Sequence, residues 1–292
     1  MKKKIFITLT VLVLIILPFL MAVAISKYSP YVEANSFQRY VIICTVISIA
    51  IVSVVLLLFK RFQQSLDKTS IGGILLFLLL CPLFGIYGLA SAPDLSLKML
   101  EHPEREHLRY ILLFIALILL GGFILFLFRS NSLAIKKSTR WIMTVILLLA
   151  FAEYTWEFTH HYLYPEGLKD WVSQGKNAEE FGKNYDNFNI ITIGVIGRYF
   201  QFISVIWLSL HLYKLQQIKI WCPITNITLS LLAIFSATLI FITKMNMPKG
   251  FELLFLLFIP GIPFFLLYWL GVALVTKFKQ SELPVKKTTA KH

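Results

Sequence analysis

The residues best suited to chemistry in this sequence stand at the end of an apolar segment, in the stretch AEYTWEFTHHYLYPEG (residues 152–167). Glu153 and Glu157 are four residues apart, and His160 follows Glu157 by three, so all three share one face of a helix. His161 comes directly after. Ionisable side chains inside a membrane-spanning helix are costly and usually functional. The spacing therefore predicts a polar stripe along one face of a spanning helix.

A basic partner for this stripe occurs in the next long apolar segment, at Arg198. At about 1.5 Å of rise per residue, Glu153 and Arg198 lie about 12 to 13 Å from the same end of their segments. Consecutive segments are usually neighbours, so we expect these two residues to pair, with Glu157 and Gln201 one turn away. Two carboxylates and one guanidinium leave one negative charge uncompensated, which favours a site for a proton, a cation or a substrate. The alternative is a permanent ionic staple between two helices.

A third feature at similar depth is the motif Pro260-Gly261-Ile262-Pro263 in the last apolar segment. Prolines remove backbone donors, so we expect the helix to break or kink there. Many transporters build their sites from the carbonyls and helix ends of broken helices. The motif predicts that Pro260, Gly261 and Pro263 belong to the same site as the charged residues.

A divalent metal is a second hypothesis for the polar stripe. Glu157 and His160 have the Glu-x-x-His spacing of di-iron bundles, and Glu104 and His107 repeat it on another outer segment. With His161 they form a candidate set of carboxylate and imidazole ligands, which suits zinc, iron or manganese. The same spacing arises by chance where histidines stand near acids, so the sequence leaves the cofactor open.

The elements that position these residues follow from composition. The chain has 292 residues, 58% hydrophobic and only 15% charged, whereas a soluble domain is about half apolar and about a quarter charged. The apolar residues form eight blocks, each long enough to cross a ~30 Å hydrocarbon core as a helix. Because lipid offers backbone groups no partner, we expect an all-α fold, an integral membrane bundle of eight transmembrane helices. The predicted spans are 5–26, 40–59, 71–90, 110–128, 141–161, 190–213, 221–243 and 251–276.

The distribution of charge predicts the orientation. Most of the 28 lysines and arginines fall on every second connection and on the two termini, where the only acids are Asp67 and Glu282. This is the positive-inside pattern, which places both termini in the cytoplasm and the chain in the bacterial cytoplasmic (inner) membrane. The net charge of +13 therefore reflects topology, and the short inner loops exclude a nucleic-acid-binding domain. If Ala22-Val23-Ala24 is a signal cleavage site, seven spans remain, but the first segment is longer than a usual signal core.

We expect a single transmembrane domain over residues 1–276, longer outer loops at 91–109 and 162–189, and a basic disordered cytoplasmic tail at 277–292. The 162–189 loop is long enough for short interfacial helices, and long loops of this kind often cover sites or bind partners. No GxSxG, HExxH, Walker or GxGxxG motif is present to name a reaction. Three functions remain open: a permease, a membrane-embedded metal-dependent enzyme with its site at the outer face, or a non-catalytic accessory or sensor subunit. The last would bind a membrane-protein partner through the outer loops.

Overall fold

The computed structural model describes residues 2–26, 28, 37–58, 72–90, 97–129 and 135–276. Within those ranges every regular element is helical, which confirms the predicted all-α fold. The α-helices are α1 (Lys2–Ser26), α2 (Phe37–Leu58), α3 (Ile74–Gly88), α4 (Glu104–Arg129), α5 (Lys137–Tyr162), α6 (Tyr164–Ser173), α7 (Ala178–Tyr185), α8 (Phe188–Lys214), α9 (Trp221–Thr243) and α10 (Ile262–Val275). Short 3-10 segments occur at Leu97–Glu101 and Glu252–Phe258. The predicted tail at 277–292 lies outside the described residues.

Six of the described helices are long and apolar enough to cross a membrane, and a bent pair of helices raises the number to seven. Their outward faces are apolar, as on Val23, Ile118 and Ile242, which are about 70% exposed (73%, 73% and 69%). A protein surrounded by lipid has no need to cover such residues with polar groups. The structure therefore supports a multi-pass membrane protein with six or seven candidate spans in its described part.

Helix α3 corresponds to the predicted third span but is shorter than the six helices that are long enough to cross a membrane. Its first part, Ile74–Leu80, is π-helical, and the α-helical part that follows begins with Cys81 and Pro82. Pro82 has no N–H to donate to the carbonyl four residues earlier, so the regular α pattern cannot run through it. That carbonyl, on Leu78, packs directly against Gly271 of α10, where any side chain would collide with it.

The last candidate span, which we call the broken span, is interrupted at the predicted motif. The 3-10 segment Glu252–Phe258 and helix α10 meet at an angle of 67°. Pro260 and Gly261 lie in the break, and Pro263 lies in the first turn of α10. Gly261 allows close packing, because a Cβ there would lie 2.5 Å from Cδ1 of Leu89. The chain thus leaves helical geometry at the residues that lack a backbone donor or a side chain.

The predicted outer loops contain more helix than the sequence suggested. Helix α4 begins at Glu104 rather than at residue 110, so Glu104 and His107 lie in its first two turns. In the 162–189 region, α6 and α7 form a helical hairpin whose small apolar core consists of Met99, Tyr164, Leu168 and Phe181. The region therefore contains two short helices, and they pack beside the ends of α4 and α5.

Candidate functional site

A buried polar cluster joins α5 to α8. Its members are Glu153 and Glu157 on α5 and Arg198 and Gln201 on α8, and we refer to them as the buried cluster. Arg198 is completely buried (0% exposed), and Glu153 and Glu157 are 7% and 8% exposed. The structure brings together the four polar side chains that the sequence had suggested from their matching positions along two consecutive helices.

Arg198 is the centre of the buried cluster. Its Nη2 donates to Oε1 of Glu157 at 2.6 Å, and its Nη1 lies 3.5 Å from Oε1 of Glu153. The same Nη1 donates to Oε1 of Gln201 at 3.1 Å. One guanidinium is therefore shared between two carboxylates and an amide, a use for which its planar array of donors is well suited.

Gln201 fixes the second oxygen of Glu153. Its amide nitrogen donates to Oε2 of Glu153, while its amide oxygen accepts from Arg198. Because the guanidinium can only donate, the amide orientation of Gln201 is determined. Both oxygens of Glu153 are therefore held by α8.

Gly197 makes room for this arrangement. A Cβ atom at Gly197 would collide with the side chain of Glu153, including its carboxyl group. The Glu153 side chain therefore lies directly over the α8 backbone, one residue before Arg198. Any other residue at this position would push the carboxylate away from its partners.

Side chains of the surrounding helices, including Arg198 of the buried cluster, donate to the backbone carbonyls of the broken span. Arg198 Nε donates to the carbonyl of Phe258 at 2.8 Å, and the Tyr154 hydroxyl donates to that of Pro260 at 3.3 Å. Ser236 on α9 donates to the carbonyl of Leu254 at 2.6 Å. A helix end and an interrupted helix leave carbonyls without helical partners, so side chains from three different helices satisfy them.

The charges of the buried cluster do not balance. When all its ionisable members are charged, two carboxylates face one guanidinium. Among the described residues, Oε2 of Glu157 is buried without a hydrogen-bond partner. An uncompensated charge in a low-dielectric interior is expensive, and a proton or a cation at this oxygen would remove the imbalance.

The candidate metal ligands are distributed over separate pairs. His160 Nε2 lies 2.9 Å from Asp186 Oδ1, and His107 Nε2 lies 3.0 Å from Glu166 Oε1. Glu104 lies beside a different histidine, His102, at 3.3 Å.

The remaining two candidates also have other neighbours. Glu157 is bound by Arg198, and the His161 ring stacks on Tyr110 with centroids 5.9 Å apart. No group of three or more histidine, cysteine or acidic residues that could hold a metal ion occurs in the described part of the chain. The structure thus does not bring the five residues together as one ligand set.

The two His–acid contacts instead join the α6–α7 hairpin to the bundle, and of the two the His160–Asp186 contact has hydrogen-bond geometry. Glu166 belongs to α6, and Asp186 directly follows α7. Next to them, the Tyr185 hydroxyl donates to the carbonyl of His160 at 2.7 Å. Burial, together with the charge of Asp186, raises the pKa of Tyr185 to about 12, so the hydroxyl remains a donor at neutral pH.

Several residues of the site escaped the sequence analysis. Tyr154, Phe258 and Ser236 contribute through contacts with a broken helix whose path is set by tertiary packing. Gly197 could have been noticed, since a glycine directly before a buried arginine in a helix is a sign of close approach. The role of Asp186 could not be predicted, because no residue near it in the sequence indicates that it contacts His160.

Comparisons of the chain with protein-family models, with curated proteins and with solved structures gave no match. The function therefore has to be argued from the site itself.

Proposed function

We propose that this chain is a permease-like protein of the bacterial cytoplasmic membrane, with eight spans and both termini in the cytoplasm. In this proposal α3 counts as a short span, and the 3-10 segment Glu252–Phe258 and α10 together form the eighth. The buried cluster is the site at which a proton or a cation binds. The observation that supports this best is the excess carboxylate, with Oε2 of Glu157 buried and without a partner among the described residues.

Each member of the buried cluster has a distinct part in the proposal. Arg198 keeps two carboxylates close together in an apolar interior, which neither would tolerate alone. Gln201 orients Glu153, and the less constrained oxygen of Glu157 accepts the incoming proton or cation. The arrangement suits reversible binding, because one carboxylate oxygen is left over after Arg198 and Gln201 have been satisfied.

The broken span links binding to a change of shape. Arg198 donates both to the carboxylates and to the carbonyl of Phe258, the last residue of the 3-10 segment. A proton or cation bound to Glu157 weakens the attraction between Glu157 and Arg198. The change at Arg198 in turn alters its hydrogen bond to the 3-10 segment. Pro260 and Gly261 then act as the hinge, and the α6–α7 hairpin covers the site from the outer side. Two such arrangements, selected by the ligand, are what alternating access requires.

A permanent staple explains the geometry less well. A staple needs one carboxylate for one guanidinium, and the second carboxylate adds only desolvation cost. The metal-dependent enzyme gains no support, since the candidate ligands lie in separate pairs. The accessory or sensor subunit, in contact with a membrane-protein partner through the outer loops, has no observation of its own in its favour.

The experiment is ion flux into liposomes. The full-length protein is reconstituted with a pH-sensitive dye inside, and a potassium diffusion potential drives proton entry; a parallel assay follows alkali cations. We expect entry of one of these ions above that of empty vesicles, with Glu153→Gln and Glu157→Gln reducing it to the empty-vesicle level. Glu180→Gln is the matched control, because Glu180 is an exposed carboxylate on α7. Flux that is unchanged in both cluster variants, or a wild type equal to empty vesicles for every ion, contradicts the proposal.

A further inference from the structure

A second buried polar group lies between α8, α9 and α10, away from the buried cluster. It consists of Ser209 on α8 and Asn226 and Ser230 on α9, and we call it the neutral cluster. All three side chains are completely buried (0% exposed). Ser209 is eleven residues beyond Arg198 on α8, or about 16 Å along the helix, so the two clusters are separate.

The amide of Asn226 is held in one orientation. Its Nδ2 donates to Oγ of Ser209 at 3.1 Å and to the carbonyl of Leu266 on α10, also at 3.1 Å. A backbone carbonyl can only accept, so nitrogen and oxygen cannot be exchanged. Oδ1 of Asn226 therefore points away from these partners, and among the described residues it has no hydrogen-bond donor.

Ser230 lies one helical turn from Asn226 on the same buried face of α9, and its Oγ is likewise buried without a partner in the described structure. Two other buried serines on α8 and α9, by contrast, have hydrogen-bond partners. Ser204 bonds to the carbonyl of Phe200 at 2.8 Å, and Ser236 bonds to that of Leu254 at 2.6 Å. An amide oxygen and a hydroxyl that are buried and unsatisfied, one turn apart, cost free energy unless a ligand binds them.

We propose that the neutral cluster binds a monovalent cation of the size of sodium, with Asn226 Oδ1 and Ser230 Oγ as ligands and with Ser209 Oγ holding the Asn226 amide in orientation. The chemistry of the ligands supports this choice. They are hard, uncharged oxygen atoms, whereas calcium and magnesium sites rely on carboxylates. Soft metals are disfavoured, because the neighbouring thiol of Cys222 is directed to the carbonyl of Trp269 at 3.8 Å.

A cation at this position would fasten α10 to α8 and α9. Asn226 already connects the three helices through Ser209 and the Leu266 carbonyl. Helix α10 follows the break at Pro260 and Gly261, so the cation would hold this part of the broken span against α8 and α9. The inference does not depend on the proposed function, since it requires no binding at the buried cluster.

The test is the thermal stability of the full-length protein in detergent, measured in sodium, potassium and N-methylglucamine chloride at constant ionic strength. We expect a saturable rise in melting temperature of about 5 °C with sodium relative to N-methylglucamine. Ser230→Ala and Ser209→Ala should each abolish the rise or shift it to at least about tenfold higher sodium. Ser204→Ala is the matched control and should keep it, because Ser204 bonds only to its own helix.

Binding of radioactive sodium to the same samples gives a readout that is independent of stability. Saturable binding that is lost in Ser230→Ala and retained in Ser204→Ala supports the proposal. Equal melting temperatures in all three salts, as a buried water at these oxygens would give, overturn it. Sodium binding that survives both Ser230→Ala and Ser209→Ala also overturns it.

Discussion

Replacement of Gly197 by alanine tests the geometry of the buried cluster with the smallest possible change. The added methyl group would collide with the side chain of Glu153, including its carboxyl group. Glu153 must then move, and it loses its hydrogen bond from Gln201 and its ion pair with Arg198. Because Arg198 is completely buried, water cannot replace the missing carboxylate.

The magnitude follows from the hydrogen bonds that Glu153 would no longer make. One or two hydrogen bonds to a charged group, at about 1.5–3 kcal/mol each, give a loss of about 3 kcal/mol. Alanine is a better helix former than glycine by about 1 kcal/mol, which offsets part of the loss. We therefore expect Gly197→Ala to lower the free energy of unfolding by about 2 kcal/mol.

Gly194 provides the matched control, because it lies three residues earlier on the same helix. A Cβ at Gly194 would meet only Cζ of Phe258, at an ordinary 3.6 Å. Gly194→Ala should be neutral or stabilising by up to about 1 kcal/mol. Thermal unfolding in detergent should separate the two variants by roughly 5 to 10 °C. Equal melting temperatures would refute the close approach of Glu153 to the α8 backbone.

Three further predictions concern the contacts around the site. Arg198→Met leaves two carboxylates buried without a cation and should lower the free energy of unfolding by about 3–5 kcal/mol. Changing Glu153 and Glu157 to glutamine in the same chain should recover most of that loss. Equal melting temperatures for Arg198→Met with and without the two glutamine changes would contradict this. Tyr185→Phe should cost about 1 kcal/mol, since it removes a hydrogen bond from the α6–α7 hairpin to α5. Because the pKa of Tyr185 is raised from 10.0 to about 12, the wild type should keep this contribution below pH 10.0 and lose it as the pH rises through about 12. A pH titration of stability that is identical in Tyr185→Phe would argue against it. Ser236→Ala should speed amide hydrogen exchange in the 3-10 segment Glu252–Phe258, and unchanged exchange there would show that the bond to Leu254 does not hold it.

The buried cluster could be predicted from the sequence because two simple physical rules determine where its members lie. Helical rise fixes the depth of a residue in its segment, and consecutive spans are usually neighbours, so Glu153 and Arg198 could be expected to meet. The break at Pro260 and Gly261 was predictable for a similar reason, since it depends on local backbone chemistry. The six or seven candidate spans among the described helices likewise follow from apolar length and composition.

Other features depend on tertiary structure that no local pattern encodes. Phe258 contributes its carbonyl, which any residue at that position would offer, and its ring, whose centroid lies 5.2 Å from the guanidinium carbon of Arg198. His160 and His107 were interpreted as metal ligands from their spacing to acids in sequence. Their actual partners, Asp186 and Glu166, come from a hairpin whose path the sequence leaves open.

The shortness of α3 was missed because hydropathy does not register a change of helix type. The apolar block at 71–90 predicts a full span, whereas the structure contains a π-helical stretch followed by Pro82. Only the backbone hydrogen-bond pattern, which a π-helix shifts by one residue, distinguishes the two cases.

The measurement that most directly tests the central claim, that the buried cluster binds a proton or a cation, is infrared difference spectroscopy of the purified protein. Spectra are recorded between acid and alkaline buffers and with and without alkali cations, for the wild type, Glu153→Gln, Glu157→Gln and the exposed control Glu180→Gln. Proton binding should produce the carbonyl band of a protonated carboxyl group, and cation binding should shift the carboxylate bands. We expect one of these changes in the wild type and the control, and its loss in at least one cluster variant. Difference spectra that are identical in all four proteins would show that the carboxylates of the buried cluster bind neither ligand, and would identify the cluster as a permanent staple.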